Sequence, residues 1–375
     1  MLRRKVTNVR NLLLKTARLS KLKKTNDGIL YKQIEGVSYG YEKYKKLFSW
    51  MQDVLMNNRD AASHQNIMDR VKKDLLQNDY EELSLLHFNN DYIGFKDGVF
   101  NLVECEFTKK EEVEKDLVCR KYFDMNFEEA NEKKSVYFDK IFTDQFEDEG
   151  VINFTKMMIG RSCFEVGRFD KWECMLSIVG KAATGKSVII NLVVAMNEKR
   201  VGAISDGFEK KFGLSQIANE NAVVADELPA DIERSVPAKK LTELIRGDII
   251  QMPVKYHQDL IEKWKVPMIF AAMDFPQYKS SIVANYIIIT EFAKEVQQIN
   301  CTLKKMVENE LPIIMINCCK MYKEYREKFK DVNVWKFCPY YFVEMRHKFL
   351  LAMGFEYATE GCIIEKKIVR EKEVE

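Results

Sequence analysis

The sequence predicts an α/β fold: a mainly parallel sheet with helices on both faces, preceded by a mostly helical N-terminal domain. Three observations lead there. From about Lys171 onward, short apolar runs (Met175–Val179, Val201–Ile204, Ala222–Ala225, Val266–Met273 and Tyr286–Thr290) are separated by helical segments such as Ser187–Met196 and Val236–Leu244. Strands alternating with helices are the pattern of a parallel sheet. The first run leads into a glycine-rich phosphate-binding pattern and then an apolar helix. Upstream, apolar residues recur at helical spacing: Leu12, Leu13, Leu19 and Leu22, then Leu47, Trp50, Met51, Val54 and Leu55.

Composition excludes several classes. With 46% hydrophobic and 31% charged residues among 375, the chain is neither disordered nor fibrous and is long enough for two to three domains. No apolar run approaches the roughly 18 residues that a membrane span needs, so no membrane partner is expected. The net charge of +2 hides an asymmetry: residues 1–50 carry a local +10, and the remainder carries −8. A basic arm thus precedes a mildly acidic body. The cysteines, Cys105, Cys119, Cys163, Cys174, Cys301, Cys318, Cys319, Cys338 and Cys362, are odd in number and show no C-x-x-C spacing. That favours a reducing, intracellular setting (host cytoplasm or nucleus) over a disulfide framework or zinc site. The acid-free start, MLRRKVTNVRNLLLKTARLSKL, also suits a mitochondrial transit segment, a phosphate-contacting helix or an ordinary solvated helix.

Along the chain, residues 1–85 read as a basic, mostly helical region. NNDYIGFKDGVFN, residues 89–101, has turn signals between aromatic and β-branched runs and reads as hairpin-like β structure. Residues 108–150 read as an acid-rich helical connection, and 86–135 form a pre-ATPase region. The catalytic domain is expected over 136–330, closing on helical residues 300–330. A short tail over 331–375 is assigned no function, and the aromatics around Cys338 read as packing.

The chemistry centres on Gly180, Lys181, Ala182, Ala183, Thr184, Gly185, Lys186 and Ser187, a full G-x-x-x-x-G-K-S pattern between strand and helix. Glycines let backbone wrap around phosphate oxygens, and the loop amides and helix N-terminus supply positive potential. Lys186 can reach the β- and γ-phosphates of ATP, and the Ser187 hydroxyl can ligate Mg²⁺. The bland alternative, a glycine turn capping a helix, does not require the lysine and hydroxyl together. NAVVADEL, residues 221–228, is an apolar strand ending in two carboxylates. Asp226 is the expected metal-side carboxylate and Glu227 the expected general base. Exposed Asp-Glu pairs at strand ends are common, so this signal draws its weight from the glycine-rich loop. In Lys239–Leu260, adjacent lysines precede a turn at Gly247–Asp248 and a strand–turn–strand reading, with Lys255, Tyr256 and His257 near the tip. A cation beside an aromatic suits a phosphate and a stacked base, although a plain surface hairpin reads the same way.

The order of these elements resembles superfamily-three helicases, the viral AAA+ replication ATPases. GRSCFEVGRFDKWECMLSIVGKAATGKS is similar to the version in poxvirus-type primase–helicases, FKDGVFNLVECEF to the short motif of the domain preceding the helicase there, and ENELPIIMINCCKMY to its helical lid. The similarity covers about residues 85–330. It implies an AAA+ P-loop domain, a homo-hexameric ring with active sites between subunits, a grip on single-stranded DNA by the Lys255–His257 hairpin, and a sensor strand at Val266–Phe275. Two positions depart from the family. Asp274 stands where a sensor Asn is usual, and a carboxylate repels phosphate unless protonated or metal-bridged. Ala284 and Asn285 stand where an arginine finger is expected, and no Arg lies between Arg246 and Arg326. Lys239, Lys240 or Lys279 would be imperfect substitutes, lacking the planar fork.

Only about 85 residues precede the family motif, without a polymerase-like carboxylate triad, so primase activity is not expected. The basic arm is available to recruit DNA or a separate primase or polymerase. The leading expectation is an ATP-dependent DNA helicase of viral or mobile-element replication. The alternatives are a nucleotide-binding ring or scaffold with a degenerate site, and a DNA-packaging translocase. A small-molecule kinase is disfavoured by the absence of lid arginines near the last strand.

Overall fold

The structure, a computed structural model, describes residues 2–56, 65–198, 201–205, 208, 213–228, 232–254, 258–295, 302–357 and 363–364. It divides into two compact units, residues 1–102 with 106–129, and 103–105 with 130–375.

In the first unit, α1 (Leu2–Leu19) buries Val9, Leu13, Leu14 and Ala17 on one face. Leu47, Trp50, Met51 and Leu55 of α2 (Leu47–Met56) join that core, as do Ile67, Val71 and Leu75 of α3 (Gln65–Gln77). α2 stands where helical spacing places it; α1 does so only as far as Leu19, which is exposed, and Leu22 begins a strand instead. Between α1 and α2, however, lies a three-stranded antiparallel sheet of β1 (Leu22–Lys24), β2 (Ile29–Gln33) and β3 (Tyr41–Lys46), so the region is not helical throughout. Its strands are short and lysine-rich and carry no apolar period. Lys24 is buried, donating to Leu75 O at 2.7 Å and to Asn78 O, and so caps the C-terminal end of α3 with a cation.

The expected hairpin is β4 (Asn89–Phe95) with β5 (Gly98–Asn101), in antiparallel register from Tyr92–Asn101 to Phe95–Gly98. With β6 (Glu106–Lys109) and β7 (Cys119–Tyr122) it forms a sheet in the order β6-β5-β4-β7. The stretch from 108 is therefore not a helical connection from its start. Apart from a 3-10 turn at Lys110–Glu112, helix begins at α4 (Phe127–Glu132), followed by α5 (Val136–Gln145) and α6 (Glu149–Arg161). Phe127 stacks on Phe107 and Phe100, with ring centres 4.3 and 5.3 Å apart, closing the face of that sheet.

The second unit is built on a five-stranded parallel sheet of β8 (Met175–Val179), β9 (Val201–Ala203), β10 (Ala222–Ala225), β13 (Met268–Ala272) and β14 (Ile287–Glu291). Its order is β14-β8-β13-β10-β9. β8, β10 and β13 are buried at every position, which explains why they read as unbroken apolar runs. The crossovers carry α7 (Lys186–Met196), α8 (Gly213–Ile217), α9 (Ile232–Ser235) and α10 (Ala238–Arg246). After α10, β11 (Ile249–Met252) and β12 (Leu260–Lys263) pair antiparallel as the expected strand–turn–strand. Its tip residues Lys255, Tyr256 and His257 lie outside the described residues.

The helical region near 300–330 is α11 (Leu303–Asn309) and α12 (Leu311–Phe329). α6 passes α12 at Gly160, where a Cβ would fall 2.1 Å from Cys318 O, so only glycine permits this backbone approach. At the end of α6, Arg161 pairs with Asp170 through Nε–Oδ2 at 2.8 Å and Nη2–Oδ1 at 2.9 Å. Tyr322 of α12 donates to the same carboxylate at 2.5 Å. Beyond α12, the segment read as a tail contains α13 (Tyr340–Ala352), which buries Phe342, Met345, Phe349 and Leu350. Phe337 stacks on Phe329 with centres 4.6 Å apart, so the aromatics near Cys338 do pack. Seven of the cysteines are described, and all seven are free thiols. Cys301 and Cys362 lie outside the described residues. Among the described residues no helix is long and apolar enough to cross a membrane.

Candidate functional site

At the carboxyl ends of β8, β13 and β10 three backbone hydrogen bonds fix the geometry. Gly180 N donates to Ala272 O at 3.1 Å, Leu228 N to Ala271 O at 2.9 Å, and Phe292 N to Val179 O at 2.8 Å. Ligands of open parallel sheets bind in the crevice outside such strand ends. The chain leaves β8 through Gly180 at φ 146°, turns through Ala183 at φ 59° and enters α7 from Gly185 at φ 102°. Gly180 is required by space as well as torsion, because a Cβ would lie 2.1 Å from Phe292 O.

Lys186, at the first position of α7, folds back over the loop and donates to Gly180 O and Lys181 O. It is 7% exposed. Burial pulls its ammonium below the ordinary lysine range, while Glu227 and then Asp226 act against that pull. Both carboxylates are thus close enough to be felt by the ammonium. Thr184 Oγ1 donates to Lys181 O at 3.0 Å, closing the loop internally.

A cleft of about 310 Å³ is lined by Ala182 to Val188, Asp226, Glu227, Ala272 and Met273. The structure therefore brings together most of the loop and both carboxylates. Ser187, Asp226 and Glu227 are exposed there, as are Ala182 and Ala183. Gly180 and Lys181 shape the loop without lining the cleft. Asp274 follows Met273 and is exposed, but it does not line the cleft. Ala284 is fully buried in the sheet–helix core and has no room for an arginine. Of the substitutes, Lys240 is paired with Glu243 at 2.7 Å.

Two supporting residues carry no recognisable motif. Gln145, buried at the end of α5, donates to Lys294 O at 2.7 Å and to Thr184 O at 3.4 Å, and accepts from Lys294 N at 2.9 Å. It ties the loop to the segment after β14. Asn191, one turn into α7, donates to Ser187 O at 2.6 Å and accepts from Lys304 at 2.8 Å. A lone Gln or Asn gives no signal in sequence; only the fold brings its partners near.

A family model described as a family of unknown function (DUF5906) matches residues 178–281, from the end of β8 past β13. No curated protein matches the chain. Similar solved structures include the A-form apo structure of the NrS-1 C-terminal region, with 13% identity over 89% of this chain and 74% of that one, at a TM-score of 0.46. A second structure of that region has 13% identity over 86% and 72% of the two chains, with a TM-score of 0.42. A third has 14% identity over 89% and 74%, with a TM-score of 0.45.

Proposed function

We propose that the chain is a P-loop ATPase of the AAA+ type that binds Mg²⁺-ATP in this cleft and uses its hydrolysis to move single-stranded DNA, as a replication helicase of a virus or mobile element. The observation that carries the proposal is the convergence of Lys186, the loop backbone and two carboxylates on one cleft at the carboxyl ends of β8 and β10, with β13 between them. The loop from Gly180 to Ser187 would wrap the phosphates, and Lys186 would exchange its carbonyl partners for β- and γ-phosphate oxygens. Ser187 and Asp226 would hold Mg²⁺. Glu227 would take a proton from the attacking water as the new P–O bond forms and the β–γ bridging oxygen leaves with ADP. Lys255, Tyr256 and His257 would contact the DNA, in a ring of six identical subunits that can engage a separate primase or polymerase.

The test is ATP hydrolysis with and without single-stranded DNA. Stimulation by DNA, lost in Lys186→Ala, is the expected result; a stimulated rate unchanged in that variant contradicts the assignment.

One observation favours a second reading, a nucleotide-binding ring with weak turnover. Ala284 is buried where a finger is expected, and a missing arginine finger costs about a thousandfold or more in rate. Phosphate release decides: brisk wild-type turnover removes this reading, whereas slow turnover raised by Asp274→Asn supports it.

A further inference from the structure

The β1–β2–β3 sheet carries a basic surface that the cleft does not use. Register sets its composition. Lys23 of β1 and Lys43 of β3 both stand opposite Tyr31 of β2, and Lys46 stands opposite Ile29. Opposite residues of an antiparallel pair share a face, so the three lysines lie on one side of the sheet. Tyr41, opposite Gln33, lies on that side too, with Lys23 Nζ 5.3 Å from its ring centre. On that side Tyr31 is buried with Leu86 and Val118, and Tyr41 remains half-buried beside the lysines. The register shifts between Leu30 and Tyr31; the extra residue on β3 is Tyr44, whose ring centre lies 5.8 Å from Nζ of Lys45, the residue opposite Leu30 on the other side.

β3 reads Tyr-Glu-Lys-Tyr-Lys-Lys with no residue fully buried. Among the described residues no carboxylate pairs with Lys23, Lys43 or Lys46, whereas neighbouring Lys45 pairs with Asp53 at 2.6 Å. Like charges on one sheet face repel each other, and a bound polyanion relieves that repulsion. Lysines on an edge strand also discourage aggregation, but that role needs no aromatic ring among them.

We propose that this face binds single-stranded nucleic acid, with Lys23, Lys43 and Lys46 against phosphates and Tyr41 against a base. Lysines beside a partly open aromatic ring suit a strand whose bases are free to stack. A lipid surface would call for protruding aliphatic side chains, and β3 has none. A duplex would use the lysines and leave the ring idle. The surface adds a second contact with the polymer of the proposed function and needs no nucleotide in the cleft.

The test is fluorescence anisotropy of a labelled oligo-dT strand with the full chain, without nucleotide. Combined Lys23→Gln, Lys43→Gln and Lys46→Gln should weaken binding about tenfold or more, and should reduce the slope of log affinity against log salt by about 2, from about 0.7 per phosphate contact. Melting temperature and ATP hydrolysis without DNA should stay as in the wild type. Tyr41→Leu should weaken oligo-dT about fivefold or more while sparing an abasic strand, from the usual worth of base stacking. Unchanged affinity in the lysine variant overturns the proposal, as does tighter binding to phosphatidylserine vesicles than to oligo-dT. A wild-type chain that binds oligo-dT through these lysines but hydrolyses no ATP supports this surface and overturns the cleft assignment alone.

Discussion

Gly180→Ala isolates the backbone requirement of the loop from its chemistry. The residue sits at φ 146°, and an added Cβ would lie 2.1 Å from Phe292 O and 3.0 Å from Phe292 C. Those atoms belong to backbone pinned by the Phe292 N–Val179 O bond at 2.8 Å, while Gly180 itself is held by Ala272 O at 3.1 Å. No side-chain rotation relieves the overlap. The torsion costs about 1–2 kcal/mol and the overpacking about 1–3 kcal/mol, together roughly 3 kcal/mol. At about 2–4 °C per kcal/mol for a domain of this size, melting should fall by roughly 6–12 °C. Gly185→Ala is the control. Its φ of 102° carries the same torsional penalty, but its nearest neighbour is the movable Ile141 Cγ2 at 3.2 Å. It should lose only about 1–2 kcal/mol. Differential scanning calorimetry of both variants decides. Equal losses, or a Gly180→Ala protein that melts like the wild type, would refute the close approach of the loop to the end of β14.

Gly160→Ala should destabilise by about 1–3 kcal/mol despite a helix-propensity gain of about 1 kcal/mol, because the Cβ meets Cys318 O; chemical denaturation measures it. Asp170→Asn leaves the Arg161 guanidinium buried without its counter-charge and should cost about 3–5 kcal/mol in the same assay. Burial alone would raise the Asp170 carboxyl, but Arg161, Tyr322 and the Trp172 amide together hold it below the usual range. Its stabilisation is therefore complete above about pH 4, the ordinary aspartate value, and fades as pH falls through the depressed value. Acid titration of stability should be shallower in Asp170→Asn below that point. Glu227→Gln should cut ATP hydrolysis by about a hundredfold or more while Mg²⁺-ATP affinity stays within a few-fold, as followed by phosphate release and titration calorimetry.

The parallel sheet was legible because strands buried on both faces must be apolar throughout. Met175–Val179 and Ala222–Ala225 end where their apolar runs end, at a glycine and at a carboxylate pair. The loop and Asp226–Glu227 were legible for the same reason, since polar chemistry begins where the strand stops. β1 and β3 were not, because Leu-Lys-Lys and Tyr-Glu-Lys-Tyr-Lys-Lys have no apolar period and owe their pairing to β2. Nor was α13, whose buried Phe342, Met345 and Phe349 are interleaved with Glu344, Arg346 and Lys348 close to a charged terminus. Gln145 and the Arg161–Asp170–Tyr322 cluster depend on partners up to 152 residues away, beyond the reach of any local pattern.

Isothermal titration of the wild-type chain with ATP in the presence and absence of Mg²⁺ bears most directly on the cleft. Saturable binding that weakens when Mg²⁺ is removed, and that is lost in Lys186→Ala with melting unchanged, is the expected result. A folded wild-type chain with no affinity for ATP under Mg²⁺ would contradict the assignment of Lys186, Ser187 and Asp226 to a nucleotide.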